Sequence, residues 1–411
     1  MSCIEKDYRN RRRPMNPEVS ESVFQLLETI SEGLAVLQTR ENPDLQQDIS
    51  AGRERVTQAL EAAMDCSLED RICVSSLSDE DWLRTALRIM EEILDPFQPL
   101  NQYDREFLNL LDIVWKNSKQ DLVRSMKANM EQLRQSSESA YAGFVEYFAR
   151  FPLWGSLNPV AGDYQTLELR AAVLKEHSYD FLWLYCRLED YLSRRTLTAI
   201  LLNWLSLNTQ YPTTVRSIFP DYWEPDIFPD NRGDVMVDLG AFTGDSIQSY
   251  VRFYGDGYRK IYAYEISTGN AEILRRNVRK MRLHDVEIRQ KGAGRESGWM
   301  FVQPGDQPSA NRLSDTGRGQ RVQIVALDDD LEETPTFIKM DIEGAEQAAL
   351  LGSQRIIREH HPKLAVCVYH GYEDLWKIPV LIDTIYPDYQ FFLRHNGGNL
   401  IPTEFTLLCK P

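Results

Sequence analysis

The sequence predicts an α/β fold: a doubly wound, Rossmann-like sheet in the C-terminal half, preceded by an all-helical N-terminal region. After residue 233, short apolar runs alternate with helical stretches, which is typical of a parallel sheet covered by helices. Before residue 211, apolar residues recur at three- and four-residue spacing, the period of an amphipathic helix. We therefore predict a helical hairpin over 1–75, a helical domain over 76–210 and a Rossmann-like domain over 211–411.

Helices are expected throughout the N-terminal half. The hairpin consists of helices over 20–40 and 45–64, joined at the turn-forming sequence Asn42-Pro43-Asp44. Ser78, followed three residues later by Asp81, predicts the start of a helix over 82–94. Further helices are expected over 104–134, 139–150, 164–177 and 181–205. None carries a chemical motif, so the sequence leaves open whether this region dimerises, recognises a substrate or only packs.

Short apolar runs in the C-terminal half predict the strands. Parallel strands are expected over 234–239, 260–264, 286–290, 336–340 and 364–369. An inserted pair is expected over 299–302 and 321–326, and two late strands over 389–394 and 404–409. Helices over 247–254 and 268–281 connect the first three strands. In an open α/β sheet, ligands bind outside the carboxyl ends of the strands, so the residues there are the first functional candidates.

A glycine-containing loop follows the first predicted strand. Gly240 and Gly244 bracket the turn from strand to helix, and glycine allows a ligand to approach the backbone closely. The helix start beyond it offers free N–H groups and a positive dipole end, which suit an anionic group. Asp245 and Ser246 fit this start as caps. Without a second signal, a tight turn that binds no ligand explains the loop equally well.

Glu265 provides the second signal. It follows the second predicted strand and lies 27 residues after Asp238, where a carboxylate accepts hydrogen bonds from both hydroxyls of a ribose. This favours a nucleoside-containing cofactor. The spacing Gly-Ala-Phe-Thr-Gly differs from the GxGxxG of dinucleotide sites, which disfavours NAD. Ile266 is placed to pack on an adenine, and Gly292-Ala293 to line its edge.

The stretch Ile338-Lys339-Met340-Asp341-Ile342-Glu343-Gly344-Ala345-Glu346 places three acids after a buried strand. Asp341, at the strand end, faces the expected ligand cleft. Glu343 and Glu346 lie near a helix start, where capping of backbone N–H groups is the alternative to a functional role. His370 ends the fifth predicted strand, where a histidine serves as a general base or as a structural residue.

Composition limits the partners. The chain has 411 residues, with 46 Lys and Arg against 62 Asp and Glu, giving a net charge of -16. Since an acidic surface repels phosphate backbones, we expect no nucleic-acid substrate. The six cysteines are scattered without a CxxC pair, and residues 1–14 lack the apolar stretch of a secretion signal, so we expect a cytoplasmic protein. The charge-free stretch between Arg195 and Arg216 contains Asn203 and Asn208, which argues against a membrane span.

In combination, these motifs resemble the FkbM-type methyltransferases. The resemblance rests on residues 237–246, on Ala263-Tyr264-Glu265, on residues 338–346 and on Val368-Tyr369-His370, and extends over roughly 180–411, including the Asp221-Tyr222-Trp223 region. The family usually has a proline after the ribose acid and a branched hydroxyl residue after Gly-Asp, whereas this chain has Ile266 and Ser246 there.

The resemblance implies a class I, S-adenosylmethionine-dependent methyltransferase that acts on hydroxyls of sugars, glycans or secondary metabolites. The candidate cofactor-binding residues are Asp238, Gly240, Ala241, Phe242, Gly244, Asp245, Ser246, Glu265, Ile266, Gly292, Ala293 and Asp341. The candidate catalytic residues are Asp341, His370 and Glu343. No metal ligand is assigned, and a Mg²⁺ ion bound by Asp341 and neighbouring acids is left open.

Two other functions stay open from the sequence. A cofactor-binding or assembly scaffold, oligomeric through its N-terminal helices, predicts cofactor binding without turnover or no binding. A nucleotide-dependent oxidoreductase predicts that NAD is retained on purification. The sequence does not identify the acceptor molecule.

Overall fold

The computed structural model describes residues 99–151, 154–303, 312–314, 320–397, 401 and 403–411. The predicted hairpin over 20–64 and the helix over 82–94 lie outside these residues. Asn101–Pro411 is one of two compact units of the chain, and the description concerns this unit alone. The domain boundaries inferred from the sequence stay predictions.

The described residues before 215 are helical, as predicted. The helices are α1 (Gln102–Lys116), α2 (Lys119–Ser136), α3 (Glu138–Arg150), α4 (Gln165–Glu176), α5 (Ser178–Arg187), α6 (Tyr191–Ser206) and α7 (Gln210–Thr214). No helix of the described residues is long and apolar enough to cross a membrane.

The predicted helix over 104–134 is wrong in one respect, because it consists of two helices. The chain leaves α1 at Asn117, whose backbone is extended. The Ser118 side chain then accepts the Asp121 N–H at 3.2 Å and caps α2. A side-chain cap of this kind satisfies an N–H that a continuous helix would have bonded internally.

The predicted helix over 181–205 is likewise divided, and a tertiary contact explains the break. Between α5 and α6, the Glu189 N–H donates to the Phe391 carbonyl at 3.0 Å. Asp190 then caps α6 by accepting the Ser193 N–H at 2.7 Å. Since the partner strand lies about 200 residues later, helical periodicity did not reveal this break.

The predicted sheet is confirmed, with boundaries that differ by one or two residues. The strands are β1 (Val235–Leu239), β2 (Lys260–Tyr264), β3 (Val286–Arg289), β8 (Phe337–Met340), β9 (Lys363–Cys367), β10 (Gln390–His395) and β11 (Phe405–Lys410). Their order is β10-β11-β9-β8-β1-β2-β3. The strands from β9 to β3 are parallel, and β11 pairs antiparallel with both β9 and β10.

A second, four-stranded sheet contains the inserted pair. Its strands are β4 (Lys291–Ala293), β5 (Gly298–Gln303), β6 (Arg312–Ser314) and β7 (Gln320–Val325), in the order β4-β7-β5-β6. The predicted pair corresponds to β5 and β7, which run antiparallel. Strand β4 was not predicted, because three residues are too few to show a period.

Helices connect the strands. These are α8 (Asp245–Tyr254), α9 (Thr268–Met281), α10 (Leu327–Asp330), α11 (Glu346–Leu351), α12 (Gln354–His360) and α13 (Asp374–Ile385). Ile247 and Tyr250 of α8 and Leu274 of α9 belong to one buried apolar cluster with Met236 and Phe337 from the sheet. Burial of this face against the sheet provides the main driving force for this layer.

Arg394 links the helical half to the sheet. It lies on β10, and its guanidinium Nη2 is 2.7 Å from Asp190 Oδ2 at the start of α6. Its Nε lies 3.6 Å from Glu224 Oε2, and its Nη1 donates to Ser193 Oγ at 2.7 Å. The Arg394 and Glu224 side chains are only 5% and 4% exposed. Each buried charge therefore needs the opposite charge of the other residue to offset its lost hydration.

We expect Arg394→Met to lower the free energy of unfolding by about 3 kcal/mol, because it leaves the buried Glu224 carboxylate without its counter-charge. Chemical denaturation followed by circular dichroism measures this. Arg232, 84% exposed and paired with Asp230, provides the control, and Arg232→Met is expected to leave the midpoint unchanged. Equal midpoints for the two variants would contradict a stabilising role of the buried Arg394.

Candidate active site

A cavity of about 740 Å³ lies at the carboxyl ends of β1, β2 and β8. This is the point where the strand order reverses, since the chain moves from β1 toward β2 and β3 on one side and later returns to β8 on the other. Open α/β sheets bind ligands at such a switch point. The volume falls within the range of roughly 300–1,000 Å³ that is typical of small-molecule sites.

The loop after β1 requires glycine at its first position. Gly240 has φ +79°, and a Cβ atom there would lie 1.8 Å from the carbonyl oxygen of Asp341. The Gly240 and Ala241 N–H groups both donate to the Tyr264 carbonyl, at 3.1 and 2.9 Å. The loop is therefore held between β2 and the residue that follows β8, and it has little room for rearrangement.

Asp238, a candidate cofactor-binding residue, does not line the cavity. The residue is fully buried. One carboxylate oxygen accepts the Ser246 hydroxyl at 2.5 Å, and the other lies 3.0 Å from Lys339 Nζ. Ser246 and Lys339 do line the cavity, so Asp238 acts on it through these two side chains.

Glu265 lines the cavity at the end of β2. It is 6% exposed, and its Oε1 accepts the Ser267 N–H at 2.7 Å and the Asn270 amide at 3.5 Å. Burial raises the pKa of its carboxyl group, although the hydrogen bonds from Ser267 and Asn270 act in the opposite direction. These contacts fix the carboxylate in one orientation toward the cavity.

The second sheet contributes the far wall of the cavity. Gly292 and Ala293 of β4 line it there, together with Ile266, which follows β2. Ile266 packs against Val302 and Ile324, which form a small apolar cluster of the insert. The insert thus supports an apolar surface beside the acidic end of β2.

The loop after β8 is strained and is held by Glu346. Glu343 and Gly344 have φ values of +57° and +97°. The fully buried Glu346 carboxylate accepts the Ile342 N–H at 2.8 Å and the Gly344 N–H at 3.1 Å. This is the capping role that the sequence left as the alternative for Glu346. Glu343 lines the cavity.

His370 is held between two carboxylates. Its Nδ1 lies 3.0 Å from Glu346 Oε1 and its Nε2 lies 3.3 Å from Asp341 Oδ1, with the side chain 5% exposed. Burial acts to lower the pKa of the ring, but the charges of Glu346 and Asp341 raise it well above its ordinary value. The ring thus lies between two carboxylates, and this geometry favours the structural role over the general base, the two roles that the sequence left open.

Asp341 is the carboxylate that faces the cavity beside His370. Its Oδ2 accepts the Tyr222 hydroxyl at 2.7 Å. Burial acts to raise the pKa of Asp341, but the His370 hydrogen bond and the Lys339 charge outweigh it and hold the pKa well below its usual range. Asp341 is therefore a fixed, ionised acceptor of hydrogen bonds.

Comparison with known proteins finds a family to which this region is similar. Residues 238–395 match the family model described as the methyltransferase FkbM domain. We call these residues the FkbM domain, after the model that they match. The match covers the β1 loop, Glu265, Asp341 and His370 together, and it confirms the resemblance found in the sequence. No curated protein sequence matches the chain.

Solved structures agree with this assignment. The chain is similar to methyltransferase FkbM from Methylobacillus flagellatus KT, with 29% identity and a TM-score of 0.50 over 58% of this chain and 61% of that chain. The chain thus spans less than two thirds of that protein's length. The FkbM neighbour and the strand order together confirm the class I methyltransferase fold.

More distant structures include fibrillarin from Aeropyrum pernix with natively bound S-adenosyl-L-methionine, with 13% identity and a TM-score of 0.30 over 53% of this chain and 75% of that chain. An rRNA methylase from Streptococcus thermophilus has 14% identity and a TM-score of 0.30 over 46% and 98% of the two chains. Likeness at this level carries no argument about the function of the FkbM domain.

Most of the residues singled out in the sequence converge on the cavity of the FkbM domain. Those that line it are Gly240, Phe242, Asp245, Ser246, Glu265, Ile266, Gly292, Ala293, Asp341 and Glu343. Asp238, Ala241, Gly244 and His370 do not line it. They lie behind its surface, where Gly244 begins α8 and Ala241 packs in the core.

Lys339 and Tyr222 are two of the cavity residues for which the sequence predicted no role. Lys339 was recognised only as part of the motif, although a lysine within a four-residue apolar strand is itself a signal of a buried ion pair. Tyr222 belongs to the connection before β1, and its bond to Asp341 spans 119 residues. No local pattern indicates that contact.

Asp341, Glu346 and His370 offer ligand atoms within 4.8 Å of one another, which is close enough for a metal ion. In the described arrangement the His370 ring lies between the two carboxylates. Among the consecutive acids at 328–330, Asp328 caps α12 by accepting the Arg355 and Ile356 N–H groups, each at 2.9 Å. Asp330 pairs with Lys291 and Arg289.

We expect Gly240→Ala to destabilise the FkbM domain more than Gly162→Ala does. Both glycines have positive φ, +79° and +74°, so both alanines incur a backbone cost of roughly 1–2 kcal/mol. Only the Gly240 variant adds a clash, because nothing lies within 4 Å of a Cβ at Gly162. Thermal unfolding of the two variants measures the difference, and equal losses would contradict the close approach to Asp341.

His370 is expected to remain doubly protonated at pH 7.5. Because its folded pKa is raised, its contribution to stability is complete below about pH 6.5 and is lost as the pH rises through the folded value. Long-range ¹H–¹⁵N NMR spectra report the charge of the ring, and His370→Gln identifies its signals. Glu346→Gln should lower the pKa of the ring. A neutral His370 ring at pH 7 in the wild type would contradict the carboxylate clamp.

Proposed function

We propose that the FkbM domain binds S-adenosylmethionine and transfers its methyl group to a hydroxyl of a sugar, glycan or secondary metabolite. One observation carries this proposal: Glu265 and Asp341 line one cavity at the switch point of the sheet, within a region that matches the FkbM methyltransferase domain. The activity and substrates of the whole protein are part of the same proposal.

The cavity fits the three parts of this cofactor. The start of α8, at Asp245 and Ser246, offers N–H groups for the methionine carboxylate. Glu265 is placed for the ribose hydroxyls, and its buried position strengthens such bonds. Ile266 and the Gly292-Ala293 backbone offer an apolar surface and a backbone edge for the adenine.

When bound, S-adenosylmethionine supplies an activated methyl group on a sulfonium sulfur. The residues of the chain therefore act mainly by positioning the acceptor oxygen in line with that group. Asp341 faces the cavity as an ionised carboxylate and orients the acceptor hydroxyl by accepting its hydrogen bond. It then takes the proton on a carboxylate oxygen, and a lowered pKa suffices because an oxygen that gains an alkyl group loses its proton very readily.

His370 and Tyr222 hold Asp341 rather than the acceptor. His370 contacts one oxygen of Asp341 and Tyr222 bonds the other, so the carboxylate cannot rotate freely. Glu346 fixes His370 in turn, and Glu343 contributes negative charge to the cavity wall. We assign Asp341 the catalytic role and the other groups positioning roles.

The proposal predicts that the wild-type chain binds S-adenosylhomocysteine with micromolar affinity and that Glu265→Ala weakens this binding by about ten- to a hundredfold. The variant loses the hydrogen bonds that a charged carboxylate accepts from the ribose hydroxyls, each worth about 1.5–3 kcal/mol. Isothermal titration calorimetry measures the affinities. Glu272→Ala, on the exposed side of α9, is the control and should bind as the wild type does. An absence of binding by the folded wild type would overturn the methyltransferase proposal in favour of a scaffold.

Asp341→Asn is expected to keep cofactor affinity within a fewfold of the wild type and to lower methyl transfer by on the order of 10²-fold, because it removes the proton acceptor. Radiolabelled S-adenosylmethionine with a panel of sugar and polyketide hydroxyl acceptors measures the transfer. Parallel assays with EDTA and with added Mg²⁺ decide whether an ion takes part. Cofactor binding without transfer to any hydroxyl compound would favour the scaffold function.

A further inference from the structure

Lys339 is a fully buried cation within an otherwise apolar strand. All four residues of β8 are buried, and Lys339 is 2% exposed. Its ammonium Nζ lies 3.0 Å from Asp238 Oδ1. Two backbone carbonyl oxygens, of Leu239 and Gly240, accept from it at 3.2 and 2.9 Å. The ammonium thus donates to two carbonyl oxygens and lies within ion-pair distance of one carboxylate, and such compensation is needed to bury this charge.

All three acceptors belong to the end of β1 and the start of the loop that follows it. The strand register places Asp238 directly beside Lys339. On the opposite side, the Gly240 N–H donates to the Tyr264 carbonyl of β2. The Gly240 residue is therefore fixed from both neighbouring strands, and Lys339 provides the attachment on the β8 side.

Lys339 also supplies the counter-charge of Asp238. The carboxylate of Asp238 is fully buried, and its other oxygen accepts the hydroxyl of Ser246 in the first turn of α8. Without the ammonium group, this buried carboxylate would lack a counter-charge, which is costly inside a protein. Movement of Asp238 to relieve this cost would break its bond to Ser246 and shift the start of α8.

We propose that Lys339 is a positioning residue of the cofactor site. It pairs with the buried Asp238 carboxylate and holds Gly240 and the start of α8 in the shape that binds the cofactor, without contacting the reacting atoms. This inference rests on the proposed function, because the ligand in question is S-adenosylmethionine.

The chain contains a matched pair of residues for comparison. Lys363 Nζ lies 2.9 and 2.8 Å from the two carboxylate oxygens of Asp234. Lys363 lies on β9, and Asp234 immediately precedes β1, so this pair lies at the amino ends of the strands. Neither residue lines the cavity. Lys363→Met removes the same kind of ion pair from the same sheet, but at the edge away from the cofactor.

The test uses the full chain and calorimetric titration with S-adenosylhomocysteine. We expect Lys339→Met and Asp238→Asn each to weaken binding at least tenfold, because each leaves one buried charge alone. The double variant should bind more tightly than the product of the two effects predicts, because it removes both charges together. Lys363→Met should bind as the wild type does, although its unfolding midpoint falls.

Three results would overturn the inference while leaving the proposed function intact. The first is that Lys339→Met binds as tightly as the wild type. The second is that Lys363→Met loses as much affinity as Lys339→Met does. The third is that the losses of Lys339→Met and Asp238→Asn simply multiply in the double variant. If Lys339→Met does not fold, Lys339→Arg and the double variant replace it, and unchanged binding in both would contradict the inference. An absence of binding by the wild-type chain is a different result, because it removes the proposed function and this inference with it.

Discussion

The carboxyl ends of β1 and β8 concentrate buried charge, and the site depends on how that charge is balanced. Asp238, Asp341 and Glu346 bring three carboxylates together, and Lys339 and His370 bring two cations. Burial of an unpaired charge costs several kcal/mol, so each group must keep its partner. The pairs connect β1 to β8 and β8 to the end of β9, and they hold the strained backbone at Glu343 and Gly344. The geometry of the cavity is thus a consequence of electrostatic compensation in its walls.

The helical half and the segment before β1 also hold Asp341 and His370 in place. Tyr222, from the segment before β1, bonds Asp341, and its own φ is +70°. Trp154, which follows α3, donates its indole N–H to the His370 carbonyl at 3.3 Å. The positions of Asp341 and His370 therefore depend on parts of the chain far from them in sequence. The Trp154–His370 hydrogen bond thus connects the helical half to the site. The amphipathic pattern of the helices did not indicate this connection.

The sequence predicted the sheet well because its strands are buried apolar runs bounded by polar residues. The bounds of β2 were predicted without error, and the β1 loop and Glu265 were placed correctly because both lie at strand ends. Several of the failures have a common cause. The division between α5 and α6, the Tyr222–Asp341 bond and the Asp238–Lys339 pair all depend on contacts between residues far apart in the chain. Periodicity and spacing describe the neighbours of a residue along the chain and not its neighbours in space.

The same distinction explains why the sequence left His370 open between a general base and a structural residue. A histidine at a strand end beside a cleft suggests proton transfer, whereas the structure surrounds it with two carboxylates that keep it charged. Methyl transfer from a sulfonium has little need of a strong base, because the donor is already activated and the acceptor proton becomes acidic as the new bond forms. What such a reaction needs is a fixed acceptor oxygen. A carboxylate held by Tyr222 on one oxygen and by His370 on the other meets that need. The contact that disfavours His370 as a base therefore makes Asp341 suitable for its proposed role.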